Sequence, residues 1–164
     1  MKRIITPLLI LSFSLSVSAQ GSIDSLFDKY QGVDGFVTLN VSGNFLKMIG
    51  SLDDNDDEFL KHADKFTAIR ILAQENGNIT VKNFYREVMK ELNSGGYEEM
   101  VSINSSDTDL KIMVKADGKV FTEFLLVAGG DDNAIIQVKG KMTEKIIREM
   151  SESVDNDNRM FGLR

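Results

Sequence analysis

Residues 129–133, "GGDDN", are the first candidates for chemistry, because two glycines and two carboxylates stand between two apolar runs. A phosphate-binding loop needs glycines that open a helix, with a lysine or hydroxyl after them, whereas the residues after Asn133 alternate like a strand. Asp131 and Asp132 could contact calcium, which binds six or more oxygens. A turn needs only the unusual backbone angles of glycine and solvated polar side chains, and the pattern favours this interpretation.

The densest run of carboxylates is "DDNDDE" at residues 53–58. Counted as a calcium-binding loop from Asp53, its sixth position holds Glu58 where a glycine is required. Its twelfth position holds Asp64 where a bidentate glutamate is expected. The run is therefore more typical of a solvated loop or helix start, and a calcium-responsive module is kept as an alternative.

His62 is the only histidine of the chain, and there is no cysteine. One histidine cannot build a multi-histidine metal site, and no G-x-S-x-G elbow offers a nucleophile. Neighbouring carboxylates such as Glu98 and Glu99 point to opposite faces of a strand and cannot share a substrate. We therefore predict no catalytic residue, no cofactor and no metal. A carboxylate-based hydrolase is kept as the enzymatic alternative.

The elements that would position these residues follow from periodicity. Alternation of apolar and polar residues predicts strands at 36–42, 67–74, 97–104, 109–115, 119–128 and 134–140. Apolar residues spaced three and four apart predict helices at 22–30, 44–52, 58–66, 81–92 and after Met142. The last four strands follow one another with short connections, which indicates an antiparallel meander.

Cross-strand pairing in this meander can be tested against the sequence, because opposed residues of an antiparallel pair share a face. A three-residue loop at 116–118 places Lys111 opposite Glu123. Closure of the next hairpin by the "GGDDN" turn places Lys139 on the other side of Glu123. The same registers predict an inner face lined by Leu110, Ile112, Val114, Val120, Phe124, Leu126, Ile136 and Val138.

The outer face of the meander is richer in apolar side chains than contact with solvent would favour. These residues are Met100, Met113, Phe121, Leu125, Val127 and Ile135. Cover by an early helix of the same chain and cover by a partner explain this composition equally well. We take Met113, Phe121, Leu125, Val127 and Ile135 as a candidate interaction face for an unknown protein or for self-association.

The N-terminal sequence "MKRIITPLLILSFSLSVSAQ" has the pattern of a secretion signal. Lys2 and Arg3 precede an apolar core at residues 4–15, and Val17 and Ala19 are small residues of the kind that signal peptidase reads. The core is short for a membrane span, although an uncleaved anchor is the alternative. We expect cleavage near Ala19, a periplasmic or secreted location, and no stable membrane anchor afterwards.

Composition limits the remaining classes of function. The chain has 25 acidic and 19 basic residues, and this excess of negative charge argues against nucleic acid or anionic lipid as a partner. Without cysteine there are no disulfides, thiolate zinc sites or thiol nucleophiles. We predict a signal peptide at 1–19, a single α+β domain at 20–152 and a flexible C-terminal tail at 153–164.

The C-terminal half of the chain resembles the domain of unknown function 4252 (DUF4252) family. The resemblance lies in the segments "YEEMVSI" and "LKIMVKADGKVFTEFLLVAGGDDNAIIQVKGKM" and in the helix after them. The resemblance is strongest over residues 97–150. It implies a small envelope protein of Gram-negative bacteria, with no established activity and no catalytic residues to carry over. Family members often bear a lipid on an N-terminal cysteine, whereas this chain has Gln20. Some are encoded near extracytoplasmic-function sigma factor systems, which implies an accessory role in envelope signalling.

The expected fold is α+β, a mostly antiparallel sheet with a C-terminal four-strand meander and helices packed on one face. The expected function is that of a non-catalytic binding or interaction module, secreted or periplasmic. The alternatives are the carboxylate-based hydrolase and the calcium-responsive module.

Overall fold

The computed structural model describes residues 22–52, 61–75, 83–92, 96–106, 108–130 and 133–156. They form four helices, α1 (Ser22–Tyr30), α2 (Gly43–Leu52), α3 (Phe84–Leu92) and α4 (Glu144–Asn156). They also form six strands, β1 (Phe36–Ser42), β2 (Phe66–Gln74), β3 (Glu98–Asn104), β4 (Thr108–Asp117), β5 (Val120–Gly130) and β6 (Ala134–Met142). The predicted signal peptide and the end of the predicted tail, residues 157–164, lie outside these ranges.

The six strands form one sheet in the order β1-β2-β6-β5-β4-β3, and every neighbouring pair is antiparallel. The meander β3–β6 is therefore confirmed, and so is the α+β class. The β1–β2 pair joins the meander through β6. The helix predicted at 58–66 is not formed at its end, because Ala63–Lys65 is a 3-10 turn and β2 already begins at Phe66.

The helices cover both faces of the sheet, not one as the sequence suggested. On the inner face, α2 and α4 pack Leu46, Ile146 and Ile147 against the apolar side chains of the meander. On the outer face, α1 and α3 pack a second apolar cluster against the sheet. Both faces need cover because the central strands β5 and β6 place apolar residues on both faces of the sheet.

The β5–β6 register is as predicted, with Glu123 opposite Lys139 and Ala128 opposite Ala134. The β4–β5 register is shifted by four residues, so that Glu123 pairs with Lys115 and not with Lys111. The hairpin uses the two-residue turn Gly118-Lys119, and a bulge interrupts the ladder between Lys115 and Ala116. A shift by an even number of residues preserves the predicted face of the side chains outside the bulges.

The inner-face prediction holds for the body of the meander. Leu110, Ile112, Val114, Phe124, Leu126 and Val138 are buried in the inner cluster, and Ile136 packs against it. Val120 departs from the prediction, because the shifted register leaves it at the hairpin end, where it is exposed.

Candidate functional site

The residues predicted as an interaction face are covered by the chain itself. Met113, Leu125, Val127 and Ile135 are buried in the outer cluster, in which α1 and α3 form the cover. Phe121 instead packs, half-buried, against the inner cluster, because a bulge between Phe121 and Glu123 turns its side chain to the other face. The outer sheet face is therefore not a surface that a partner could reach, and the predicted site is not assembled.

The "GGDDN" turn joins β5 to β6, as predicted, and its last residue serves the packing of α3. Asn133 is 2% exposed, and its Oδ1 accepts a hydrogen bond of 2.7 Å from Phe84 N at the start of α3. Its Nδ2 donates to Gln74 Oε1 at 2.7 Å. Asn133 thus supplies a side-chain acceptor for the first N–H of a helix 49 residues away, and the flanking Asn83 accepts from Arg86 N at 3.3 Å. Asp131 and Asp132 lie outside the described residues.

Gly129 has a related role, because α3 begins directly against it. A Cβ at this position would lie 2.3 Å from Asn83 Oδ1 and 2.7 Å from Tyr85 N, closer than real side chains approach. Asn83 itself has a left-handed backbone, with φ of 53°, just before the helix starts. The glycine at this point of the turn is explained by packing, and no ligand is needed to account for it.

A group of linked polar side chains lies on the outer face beside the apolar cluster. Glu123 is buried, and its Oε1 accepts hydrogen bonds from Tyr97 Oη and, at 2.5 Å, from Gln137 Nε2. Lys115 Nζ lies 3.8 Å from Glu123 Oε2 and 4.2 Å from the centroid of the Tyr97 ring. Burial, and then the hydrogen bond to Glu123, raise the pKa of Tyr97 well above its ordinary value, so the phenol stays protonated.

The same group of polar side chains ties α1 to the sheet. Arg70 on β2 pairs with Asp24 on α1 and donates to Gln137 Oε1 at 3.4 Å. Its guanidinium also lies 3.9 Å from the centroid of the Phe27 ring. Among the described residues, no buried side-chain nitrogen or oxygen lacks a hydrogen-bond partner. These acids and bases therefore bind one another, an arrangement that orders the helix on the sheet.

The other residues considered for chemistry are scattered. His62 Nε2 lies 3.2 Å from Glu149 Oε2, which links the segment before β2 to α4. Residues 53–58, the acidic run, are outside the described ranges, and the described part of the chain holds no group of three side chains arranged to bind a metal. An open cavity of about 250 Å³ at the β1–α2 junction is lined by Ser42, Gly43, Asn44, Lys47, Phe66 and Thr67.

One segment of the described chain exposes an unusual number of large apolar side chains. We call this set of side chains the β1–α2 surface, and it consists of Val33, Val37, Leu39, Phe45 and Met48. Eight large apolar side chains are exposed on the described residues, and these five lie within residues 33–48. The same 16 residues contain only two charges, Asp34 and Lys47, in a chain that is 27% charged.

Strand β1 is an edge of the sheet, and its outward backbone groups belong to alternate residues. Glu75 N donates to Gly35 O at 2.9 Å, which makes these residues a hydrogen-bonded pair one step beyond the β1–β2 ladder. Such pairs alternate with non-hydrogen-bonded ones, so Thr38 and Asn40 direct their N–H and C=O groups away from β2. Phe36 fits this pattern, since its N–H bonds to the preceding turn.

The β1–α2 surface was not identified from the sequence, although a signal was present. The seven residues of β1, "FVTLNVS", contain no charge and no proline, whereas natural edge strands usually carry such protection against pairing. Alternation alone places Val37, Leu39 and Val41 on one face. It does not reveal that the strand lies at an edge, because that depends on which strands the rest of the chain supplies.

The comparisons with known proteins address the family and not the activity. A family model described as "Domain of unknown function (DUF4252)" matches residues 30–150, a segment that includes all six strands. No curated protein and no solved structure matches the chain significantly. No helix among the described residues is long and apolar enough to cross a membrane. With most of its length matched by the family model, the chain belongs to the DUF4252 family.

Proposed function

We propose that this chain is an exported, non-catalytic binding protein of the bacterial envelope, which holds a protein partner at its β1–α2 surface. The observation that carries the proposal is the β1 edge itself, an uncharged strand with apolar side chains exposed and backbone groups directed outward. An edge of this kind is a template for a further strand, because its N–H and C=O groups can extend the ladder.

The side chains of the β1–α2 surface would add apolar contact to this backbone pairing. Leu39 is 48% exposed, and Phe45 and Met48 are exposed to a similar extent on the helix that follows the strand directly. An exposed apolar patch with few charges is typical of a protein–protein contact. A protein strand can engage both the backbone and the side chains of this edge, and this favours a polypeptide partner.

Export and an envelope location are supported by the N-terminal pattern, with Lys2 and Arg3 before an apolar core and small residues at Val17 and Ala19. The resemblance to envelope proteins supports an accessory role in envelope signalling. The hydrolase alternative gains no support from the polar group around Glu123, because this carboxylate is engaged by Tyr97 and Gln137.

The proposal is tested by replacing Leu39 with a photo-cross-linking amino acid in the full-length chain, in cells that process it naturally. The matched control is the same replacement at Ile103, which is 51% exposed on the opposite edge strand β3. We expect a protein adduct of defined mass from position 39 and none from position 103. Equal adducts from both positions, or none from position 39, would contradict a binding role for the β1 edge.

A further inference from the structure

We propose that the partner at β1 is β1 of a second copy of this chain, paired antiparallel about a twofold axis that passes beside Leu39. This inference rests on the proposed function, because it names the occupant of the same edge. The resulting dimer would contain a continuous twelve-stranded sheet, twice the six strands of one copy. A twofold interface uses the same patch on both copies, so the patch must be complementary to itself.

The direction of the backbone groups selects the register. Only residues with outward N–H and C=O groups can form hydrogen-bonded pairs across the new interface, and in β1 these are the even-numbered residues. A twofold axis beside Leu39 pairs Thr38 with Asn40 of the second copy, and Asn40 with Thr38. Both pairs join outward-facing residues, so each pair can exchange two N–H···O=C hydrogen bonds across the interface.

This register also matches the side chains. Opposed residues share a face, so Leu39 would meet Leu39 of the second copy, and Val37 would meet Val41. All three residues lie on the inner-face side of the sheet, where Val37 and Leu39 are exposed. In this register all seven residues of β1 lie opposite a residue of β1 in the second copy. If the twofold axis moves by one residue, outward-facing residues still pair, but two residues of β1 have no residue opposite them.

Charge explains why a second copy is compatible with this edge. The full chain has a formal net charge of −6, so two copies repel each other over most of their surfaces. The seven residues of β1 carry no charge, and self-pairing therefore places no like charges opposite one another. At the other edge, β3 carries Glu98 and Glu99 and so lacks the uncharged character of β1.

Disulfide trapping tests the register, because the chain has no cysteine of its own. Leu39→Cys places two thiols in a non-hydrogen-bonded pair with Cα atoms about 4.5 Å apart, within the range of a disulfide. Val37→Cys is the matched control, because its two thiols would be four residues apart along the strand, roughly 13 Å. With oxidised glutathione as the electron acceptor, we expect a covalent dimer from Leu39→Cys and none from Val37→Cys.

Sedimentation velocity supplies a second measurement without an introduced thiol. The apparent mass of the native chain should rise toward that of a dimer as the protein concentration increases. Leu39→Lys should remove this rise, because two lysines would face each other, whereas Ile103→Lys on the other edge should leave it unchanged. Circular dichroism that matches the native chain would show that the exposed substitutions leave the fold intact.

The outcomes separate this inference from the proposed function. A covalent dimer from Leu39→Cys alone, with a concentration-dependent mass, supports the second copy as partner. A native chain that stays monomeric, or equal trapping at positions 37 and 39, overturns it. If photo-cross-linking at position 39 then yields an adduct with a different protein, the β1 edge is still a binding site and only the identity of its partner is wrong.

Discussion

Replacement of Asn133 by alanine is the sharpest test of the structural role of the "GGDDN" turn. The substitution removes the acceptor of the Phe84 N–H at the start of α3 and the donor to Gln74 Oε1. Phe84 is fully buried, so its N–H cannot turn to water. Loss of a cap costs about 1 kcal/mol, and a buried N–H without a partner costs about 1–3 kcal/mol, with some overlap between the two effects.

We therefore expect Asn133→Ala to lower the free energy of unfolding by about 2–3 kcal/mol. The melting temperature should fall by roughly 5–10 °C. Urea denaturation of the full-length chain measures the first quantity and calorimetry the second. Gln74→Ala is a partial control, because it leaves the Phe84 bond in place and should cost less.

The control for a surface asparagine is Asn104→Ala, whose exposed amide bonds only to Ser102 Oγ at 3.3 Å and should change stability by less than about 0.5 kcal/mol. If Asn133→Ala were as mild as Asn104→Ala, the turn would not hold α3. A bound ion would then have to be reconsidered as the reason for this sequence.

Two further predictions concern the layers of the fold. Leu125→Ala on the outer face should lower the free energy of unfolding by about 3 kcal/mol, as much as Leu126→Ala on the inner face, because both side chains are fully buried. Urea denaturation measures both values. A cost near zero for Leu125→Ala would mean that α1 and α3 do not cover the outer face. Tyr97 has a raised pKa in the folded state, so its contribution to stability is complete below its ordinary value of 10.0 and is lost progressively as the pH rises further. Tyr97→Phe should therefore make the unfolding free energy decline less steeply between pH 9 and about 11. Above pH 10 the difference in slope should reach up to about 1.4 kcal/mol per pH unit. If the unfolding free energies of the two proteins had identical slopes against pH, the raised pKa of Tyr97 would be refuted.

The arrangement of the two faces explains the composition that first suggested a partner. The outer face is apolar because α1 and α3 lie on it, and the partly buried polar group that includes Arg70 and Glu123 links α1 to the sheet. Five of the eight large apolar side chains that are exposed on the described residues lie within residues 33–48, which include β1 and the start of α2. The apolar side chains that a partner could contact in the proposed function therefore lie at the edge of the sheet and not on its outer face.

Local pattern was sufficient for most elements and for the β5–β6 register. Alternation with a period of two assigned the inner face correctly, and the five residues of the "GGDDN" turn set the pairing of Glu123 with Lys139. The β4–β5 register was wrong because a three-residue loop was assumed, whereas the chain uses two residues and a bulge. The error misplaced Val120 but left the other seven predicted inner-face residues in the core, because a shift of four residues preserves the face.

The sequence by itself determined where most of the strands and helices lie, which face most residues of the meander occupy, and that the chain reverses between β5 and β6. These properties depend on periodicity and turn chemistry over a few residues, so neighbours in the chain are enough to reveal them. The tertiary structure alone decided that α1 and α3 cover the outer face, that Asn133 accepts from the first N–H of a helix 49 residues away, and that β1 lies at an edge. Such choices are made between distant segments that compete to bury the same apolar surface, and no local pattern records which segment succeeds.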